Sequence, residues 1–81
     1  MKLDNITIYE ILFLITKKEM KINTQMVNLM NSQVKAILDH NDELKEAFEI
    51  DIQQCKESNR VLNELYKEIK SLIVDNGESN V

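Results

Sequence analysis

The apolar residues near the start of the chain recur with the period of an α-helix. One face is formed by Ile8, Ile11, Leu12 and Ile15, and it is widened by Tyr9, Phe13 and Leu14. Thr7 and Glu10 have the spacing of a capping box, which marks a helix start. The pattern predicts a first helix over about residues 7–19. An intermolecular β-strand is the alternative, because both alternating sets of side chains are apolar.

A turn is expected at residues 20–24, where Asn23 or Thr24 can cap a second helix. From Val27 to Leu72 the apolar residues keep one heptad phase. Position a holds Val27, Val34, Asn41, Phe48, Cys55, Leu62 and Ile69. Position d holds Met30, Ile37, Leu44, Asp51, Ser58, Leu65 and Leu72. The pattern favours one long helix over about residues 24–74, followed by a frayed tail at residues 75–81.

Residues 39–42 allow a second interpretation of this long helix. Asp39, His40, Asn41 and Asp42 are four weak helix formers in a row, so the helix can break there. Asn41 has a different role in each case. In a continuous helix it lies in the seam and fixes the register of a partner, whereas at a break it caps a new helix.

Composition supports an all-α fold that self-associates. The 81 residues include one glycine and no proline, which argues against sandwiches and barrels. We expect a single helical domain over residues 1–81: a short hydrophobic helix, then the heptad-patterned helix, in a bundle or coiled coil. So short a chain has a thin core, so a homo-oligomer is expected, with a dimer favoured. Its candidate apolar surface comprises Ile8, Leu12, Phe13, Leu14, Ile15, Val27, Val34, Asn41, Phe48, Leu62, Leu65 and Ile69.

Charge is unevenly distributed along the chain. The net charge is −4, and six acidic residues but only Lys45 as a base lie between Asp39 and Asp51. The candidate acidic face comprises Asp39, Asp42, Glu43, Glu46 and Glu49. Such a face suits docking on the basic surface of a larger protein, and the alternative is a solvated face that aids solubility.

The residues offer little for catalysis. One cysteine, one histidine and no triad or metal-ligand spacing predict neither an enzyme nor a metal or other cofactor. The dense apolar run at residues 11–15 is too short to span a membrane. The acidic balance argues against nucleic acid as a partner, and the stretch at residues 24–35 lacks the turn glycine of a helix-turn-helix. A single cysteine makes the reducing cytoplasm the default location.

These observations predict a small, acidic, non-catalytic protein–protein interaction protein, acting as an inhibitor or regulator on a basic partner surface. Its small size, acidity and bias toward Lys, Asn and Ile are typical of accessory proteins of phages or mobile elements. One alternative is a structural or assembly coiled coil with no regulatory target. Another is a nucleic-acid-binding module that uses Lys17, Lys18 and Lys21.

Overall fold

The structure, a computed structural model, describes the backbone of residues 3–78 and the side chains of residues 3–73. It consists of two helices, α1 (Asn5–Leu38) and α2 (Asp42–Glu78). They pack against each other as an antiparallel hairpin whose extents are 61 × 21 × 14 Å. The prediction of an all-α fold is confirmed for this part of the chain, and residues 7–19 are helical rather than extended.

Helix α1 begins earlier than the sequence pattern predicts. Asp4 has an extended backbone, with φ −78° and ψ 165°, and its Oδ1 accepts a hydrogen bond from the Thr7 N–H at 2.7 Å. This bond lowers the pKa of the Asp4 carboxyl. The capping residue is therefore Asp4, and the predicted cap at Thr7 is wrong, because Thr7 already lies inside the helix.

The predicted turn at residues 20–24 is also wrong, because α1 runs through it without interruption. The two polar residues that suggested a cap, Asn23 and Thr24, form side-chain hydrogen bonds while their backbone is helical. The Thr24 hydroxyl donates to the Met20 carbonyl oxygen at 3.1 Å. The Asn23 side-chain oxygen accepts from Asn59 Nδ2 of α2 at 2.6 Å. With no competing turn, the first helix extends to 34 residues.

The chain reverses at residues 39–41, so one helix over residues 24–74 is wrong and the alternative of a break is confirmed. The Asn41 N–H donates to the Ala36 carbonyl at 2.9 Å, and the His40 N–H donates to the Ile37 carbonyl at 3.1 Å. This pair of bonds is the Schellman motif, and His40 takes its left-handed position with φ 56°. Asn41 Oδ1 then accepts from the Leu44 N–H at 3.1 Å and caps α2.

The far end of α2 also differs from the prediction. The helix continues to Glu78, so residues 75–78 are helical rather than the start of a tail. Residues 79–81 of the predicted tail lie outside the described residues.

The seam between the helices uses a different set of residues in α1 from the predicted phase. Val27 and Val34 are exposed, whereas their neighbours Met26 and Gln33 are half-buried against α2. The turn breaks the helical periodicity of the chain. A heptad register continued across residues 39–41 therefore does not identify the faces of α1 and α2 that pack together. The buried seam residues are Ile8, Leu12, Ile15, Ile22, Ala36, Ile52 and Cys55. Half-buried residues complete the seam: Met26, Leu29, Phe48, Asn59, Leu62, Tyr66, Ile69 and Ile73.

The Asn41 cap generates a stability prediction. Asn41→Leu leaves the Leu44 N–H without its acceptor and should lower the free energy of unfolding by about 1 kcal/mol. Urea unfolding followed by circular dichroism measures this loss, and Asn41→Asp is the control because aspartate keeps the acceptor. A gain in stability for Asn41→Leu would place Asn41 in an apolar seam and contradict the cap.

Candidate functional site, an exposed apolar face on α1

One side of α1 carries a row of apolar side chains that α2 does not cover. Phe13 is 63% exposed, Met20 64% and Val34 55%. The complete row is Ile6, Tyr9, Phe13, Met20, Val27, Met30, Val34 and Ile37. Thr16 and Asn23 occupy the two remaining positions of the same alternating spacing of three and four residues. We call these ten positions the α1 stripe.

The α1 stripe lies one residue after the seam along the whole helix. Phe13 follows the buried Leu12, and Val27 follows the half-buried Met26. One residue corresponds to about 100° of rotation around an α-helix. Helix α1 therefore has two apolar faces at nearly a right angle, and α2 covers only one of them.

A charged row of α2 lies beside the α1 stripe on the same side of the hairpin. A shallow cavity of about 360 Å³ lies between the helices there, and its lining residues are Tyr9, Leu12, Phe13, Thr16, Tyr66, Lys70 and Ile73. Further along, Gln33 Nε2 donates to Glu49 Oε2 at 2.8 Å. From this hydrogen bond to the cavity, α2 carries four exposed residues at heptad spacing: Glu49, Lys56, Asn63 and Lys70. We call these four residues the α2 edge.

The opposite side of the hairpin has no comparable continuous row among the described residues. A second shallow cavity lies there, lined by Lys18, Ile22, Gln25, Asp51, Gln54, Cys55 and Ser58. Val61, Leu65 and Leu72 are exposed there on α2, but Asp51 and Ser58 separate them from Leu44, so this row is shorter than the α1 stripe. The side with the α1 stripe is therefore the better candidate for a binding surface.

The structure divides the apolar surface predicted from sequence. Phe13, Val27 and Val34 lie on the α1 stripe, and Leu14 and Leu65 are exposed elsewhere. Asn41 lies in the turn as a cap. The remaining residues take part in the seam within one chain: Ile8, Leu12, Ile15, Phe48, Leu62 and Ile69. Only the first group is available to a partner as a continuous row.

The acidic face lies around the turn and the first turns of α2. Asp39, Asp42, Glu43, Glu46 and Glu49 are all exposed. Asp42 and Glu43 stand in the first turn of α2, where the helix dipole favours negative charge. Glu49 accepts hydrogen bonds from Gln33 and Gln53, and these bonds lower the pKa of its carboxyl. Part of this acidic cluster thus has a role within the fold.

Two asparagines join the helices near the middle of the seam. Asn59 Nδ2 donates to Asn23 Oδ1 at 2.6 Å, while the buried Asn59 Oδ1 has no hydrogen-bond partner among the described residues. An unsatisfied buried acceptor costs about 1–3 kcal/mol. A polar pair of this kind fixes the register of two helices at the expense of stability.

The residues with reactive side chains lie apart from the α1 stripe. Cys55 is buried in the seam, where a thiol behaves as a small apolar group. His40, the one histidine, is in the turn. Within residues 3–73, no three His, Cys, Asp or Glu side chains are grouped as ligands of a metal ion.

Sequence reasoning missed Ile6, Tyr9, Met20, Met30 and Ile37 as parts of one surface. The signal was present, because the predicted heptad phase that begins at Val27 continues backward through Met20, Phe13 and Ile6. The expected turn at residues 20–24 separated the two halves of the row. Without that turn, the α1 stripe extends over most of the length of α1, with Thr16 and Asn23 as its two polar positions.

The asparagine pair generates a second stability prediction. Asn59→Leu removes the unsatisfied buried oxygen and should raise the free energy of unfolding by about 1 kcal/mol. Thermal unfolding measures the gain. Asn28→Leu, the same substitution at an exposed position of α1, is the matched control and should change stability by less than about 0.5 kcal/mol. Equal effects of both substitutions would show that the buried amide carries no penalty.

Comparison with known proteins adds no function to this geometry. Neither helix contains, in its described residues, a segment long and apolar enough to cross a membrane. Family models, curated proteins and solved structures were all compared with the chain, and none of them matches it.

Proposed function

We propose that this protein acts without catalysis, by binding the helical surface of another protein molecule through the α1 stripe. The observation that carries the proposal is the row of eight exposed apolar side chains on α1, which is interrupted at Thr16 and Asn23 and lies outside the seam of the hairpin. Exposed apolar rows of this length mark contact surfaces in small soluble proteins, because water is a poor solvent for them.

The spacing of the α1 stripe indicates what kind of surface fits it. Alternating intervals of three and four residues keep a row of side chains facing one neighbouring helix along its length. The row covers about 46 Å between Ile6 and Ile37, at 1.5 Å per residue. A partner helix that lies along α1 buries the whole row, whereas a globular surface touches only part of it. Self-association is the simplest form of such binding.

The acidic face supports a second proposal, docking on a basic surface of a larger protein in the manner of an inhibitor or regulator. Its support is that five exposed carboxylates lie around one end of the hairpin. Asp42 and Glu43 also stabilise the start of α2, so their charge does not require a partner. We therefore place the α1 stripe first. A purely structural coiled coil uses the same stripe, and an RNA or DNA module based on Lys17, Lys18 and Lys21 has the least support at a net charge of −4.

The first prediction from this proposal concerns mass in solution. Covering the α1 stripe with a second chain removes many exposed apolar side chains from water, so a dimer or larger species should form at micromolar concentration. Sedimentation equilibrium should give at least twice the 9.5 kDa of one chain. A helical monomer at all concentrations would show that the stripe does not bind its own chain and would leave only a different protein as its partner.

The second prediction uses two neighbouring residues as a matched pair. Phe13 lies on the α1 stripe and Leu14 lies beside it, and both are about equally exposed, at 63% and 64%. Phe13→Ala should weaken association by about tenfold to a hundredfold, as loss of a central aromatic contact does. Leu14→Ala should change the dissociation constant by less than about threefold.

Circular dichroism provides the control for this pair. Both variants should keep the helical signal of the parent, because neither side chain is in the seam. If Phe13→Ala loses helicity and association in proportion, Phe13 supports the fold rather than a contact. If both variants weaken association equally, the binding surface is not the α1 stripe.

A further inference from the structure

We propose that the α1 stripe binds the α1 stripe of a second copy of this chain in antiparallel orientation. Two hairpins then stack face to face about a twofold axis that passes level with Asn23 and Asn59. This inference rests on the proposed function, since it uses the same surface, and it names the occupant and the geometry.

The sizes of the side chains along the α1 stripe favour the antiparallel orientation. The first half of the stripe carries the aromatic residues Tyr9 and Phe13, while the second half carries the smaller Val27 and Val34. A twofold axis at the middle of the stripe puts the large Tyr9 opposite the small Val34. The other outer pairs are Phe13 with Met30 and Ile6 with Ile37. A parallel pair would instead place Tyr9 on Tyr9 and Val34 on Val34, and the gap between two valines costs stability.

The polar positions of the stripe fit the same arrangement. Thr16 falls opposite Val27 of the second copy, and Asn23 falls opposite Met20. Both polar side chains already have partners within their own chain, because the Thr16 hydroxyl donates to the Leu12 carbonyl at 3.0 Å and Asn23 Oδ1 accepts from Asn59. The Thr16 hydroxyl and the Asn23 side-chain oxygen therefore keep their partners when they are covered, and any desolvation penalty is confined to the Asn23 side-chain N–H groups.

The α2 edge provides an independent argument from charge. The middle of the α1 stripe lies between Lys21 and Ile22, and the bond between Asn23 and Asn59 places that level beside Asn59 on α2. A twofold axis at this level brings Glu49 of one copy opposite Lys70 of the other. Lys56 falls opposite Asn63, so no like charges of the α2 edge face each other.

This charge match cannot arise within one chain. Glu49 and Lys70 lie about 32 Å apart along α2, at 1.5 Å per residue, which is well beyond the reach of a salt bridge. Across the axis the pair occurs twice, as twofold symmetry requires. The acidic residue Glu49 thus has a basic partner, Lys70, in the second copy itself.

The other face-to-face arrangement is excluded by the same rows. A twofold axis parallel to the helices would place the α1 stripe on the α2 edge of the second copy. Apolar side chains would then cover the charged groups of Glu49, Lys56 and Lys70, whose desolvation is unfavourable without a partner. The proposed axis instead matches the apolar row with the apolar row and the charged row with the charged row.

The contact area is adequate for a stable dimer. The α1 stripe is about 46 Å long, and the hairpin is 21 Å across its two helices. This face offers on the order of 900 Å² per chain, compared with about 800 Å² per partner in a standard specific interface.

A charge-reversal cycle tests the geometry. Glu49→Lys and Lys70→Glu should each weaken dimerisation by about tenfold at low salt, because each places like charges together at two symmetric contacts. The double variant should recover the parent dissociation constant to within about threefold. Asp51→Lys and Lys21→Glu make the same changes of net charge away from the α2 edge, and they should have little effect. Absence of recovery in the double variant overturns the proposed axis.

Disulfide formation between marked chains tests the orientation. Chains carrying Ile6→Cys and chains carrying Ile37→Cys, both with Cys55→Ala, are mixed and oxidised under mild conditions. The antiparallel dimer predicts mixed disulfides between the two kinds of chain, identified by mass. Disulfides between identical chains would show a parallel dimer and overturn the inference. If Cys55→Ala lowers helicity, the charge-reversal cycle, which keeps Cys55, decides.

The results separate this inference from the proposed function. In one outcome, Phe13→Ala weakens the dimer, but the double charge-reversal variant does not recover the parent dissociation constant and no mixed disulfides form. This outcome keeps the α1 stripe as a binding surface and overturns the antiparallel geometry. A monomer whose binding to another protein is weakened by Phe13→Ala overturns the second copy as occupant and keeps the proposed function. A monomer insensitive to both sets of changes overturns both.

Discussion

The reversal of the chain at residues 39–41 determines everything else about this molecule. The Schellman bonds from Asn41 and His40, followed by the Asn41 cap, fold α2 back along α1 within three residues. A hairpin gives each helix a single neighbour. Because α1 is apolar on two faces, one face has to stay outside the seam. The turn therefore produces both the fold and the surface that the fold leaves open.

Much of the architecture could be predicted from local chemistry, and the failures have specific causes. The helical period of residues 8–15 and the weak helix formers at residues 39–42 identified real features of the structure. Asn23 and Thr24 led to the wrong prediction of a turn, because their side chains can form hydrogen bonds either as helix caps or inside a helix. Here Thr24 bonds to the Met20 carbonyl and Asn23 bonds to Asn59. That second possibility depends on α2 being alongside, which local sequence does not specify.

For the same reason, only part of the candidate site could be predicted from the sequence. Phe13, Val27 and Val34 were expected at a surface, but the assumed turn hid their continuity with Met20. The division into a buried seam and an exposed stripe could not be predicted either. Both rows are apolar and both have heptad spacing, so only the packing of α2 against α1 tells which one is covered. The polar bond between Asn23 and Asn59 is one feature that favours the observed choice.

The offset of one residue between the two rows of α1 has a consequence for how this sequence can change. A change of one residue in the length of the chain near the turn rotates α1 by about 100° relative to α2. In one direction the rotation turns Phe13 and Val27 of the α1 stripe toward α2, so apolar side chains still face the second helix. In the other direction it turns Lys18, Lys21 and Gln25 toward α2 and puts charged and polar groups into the seam. Lengthening and shortening the turn are therefore not equivalent for this chain.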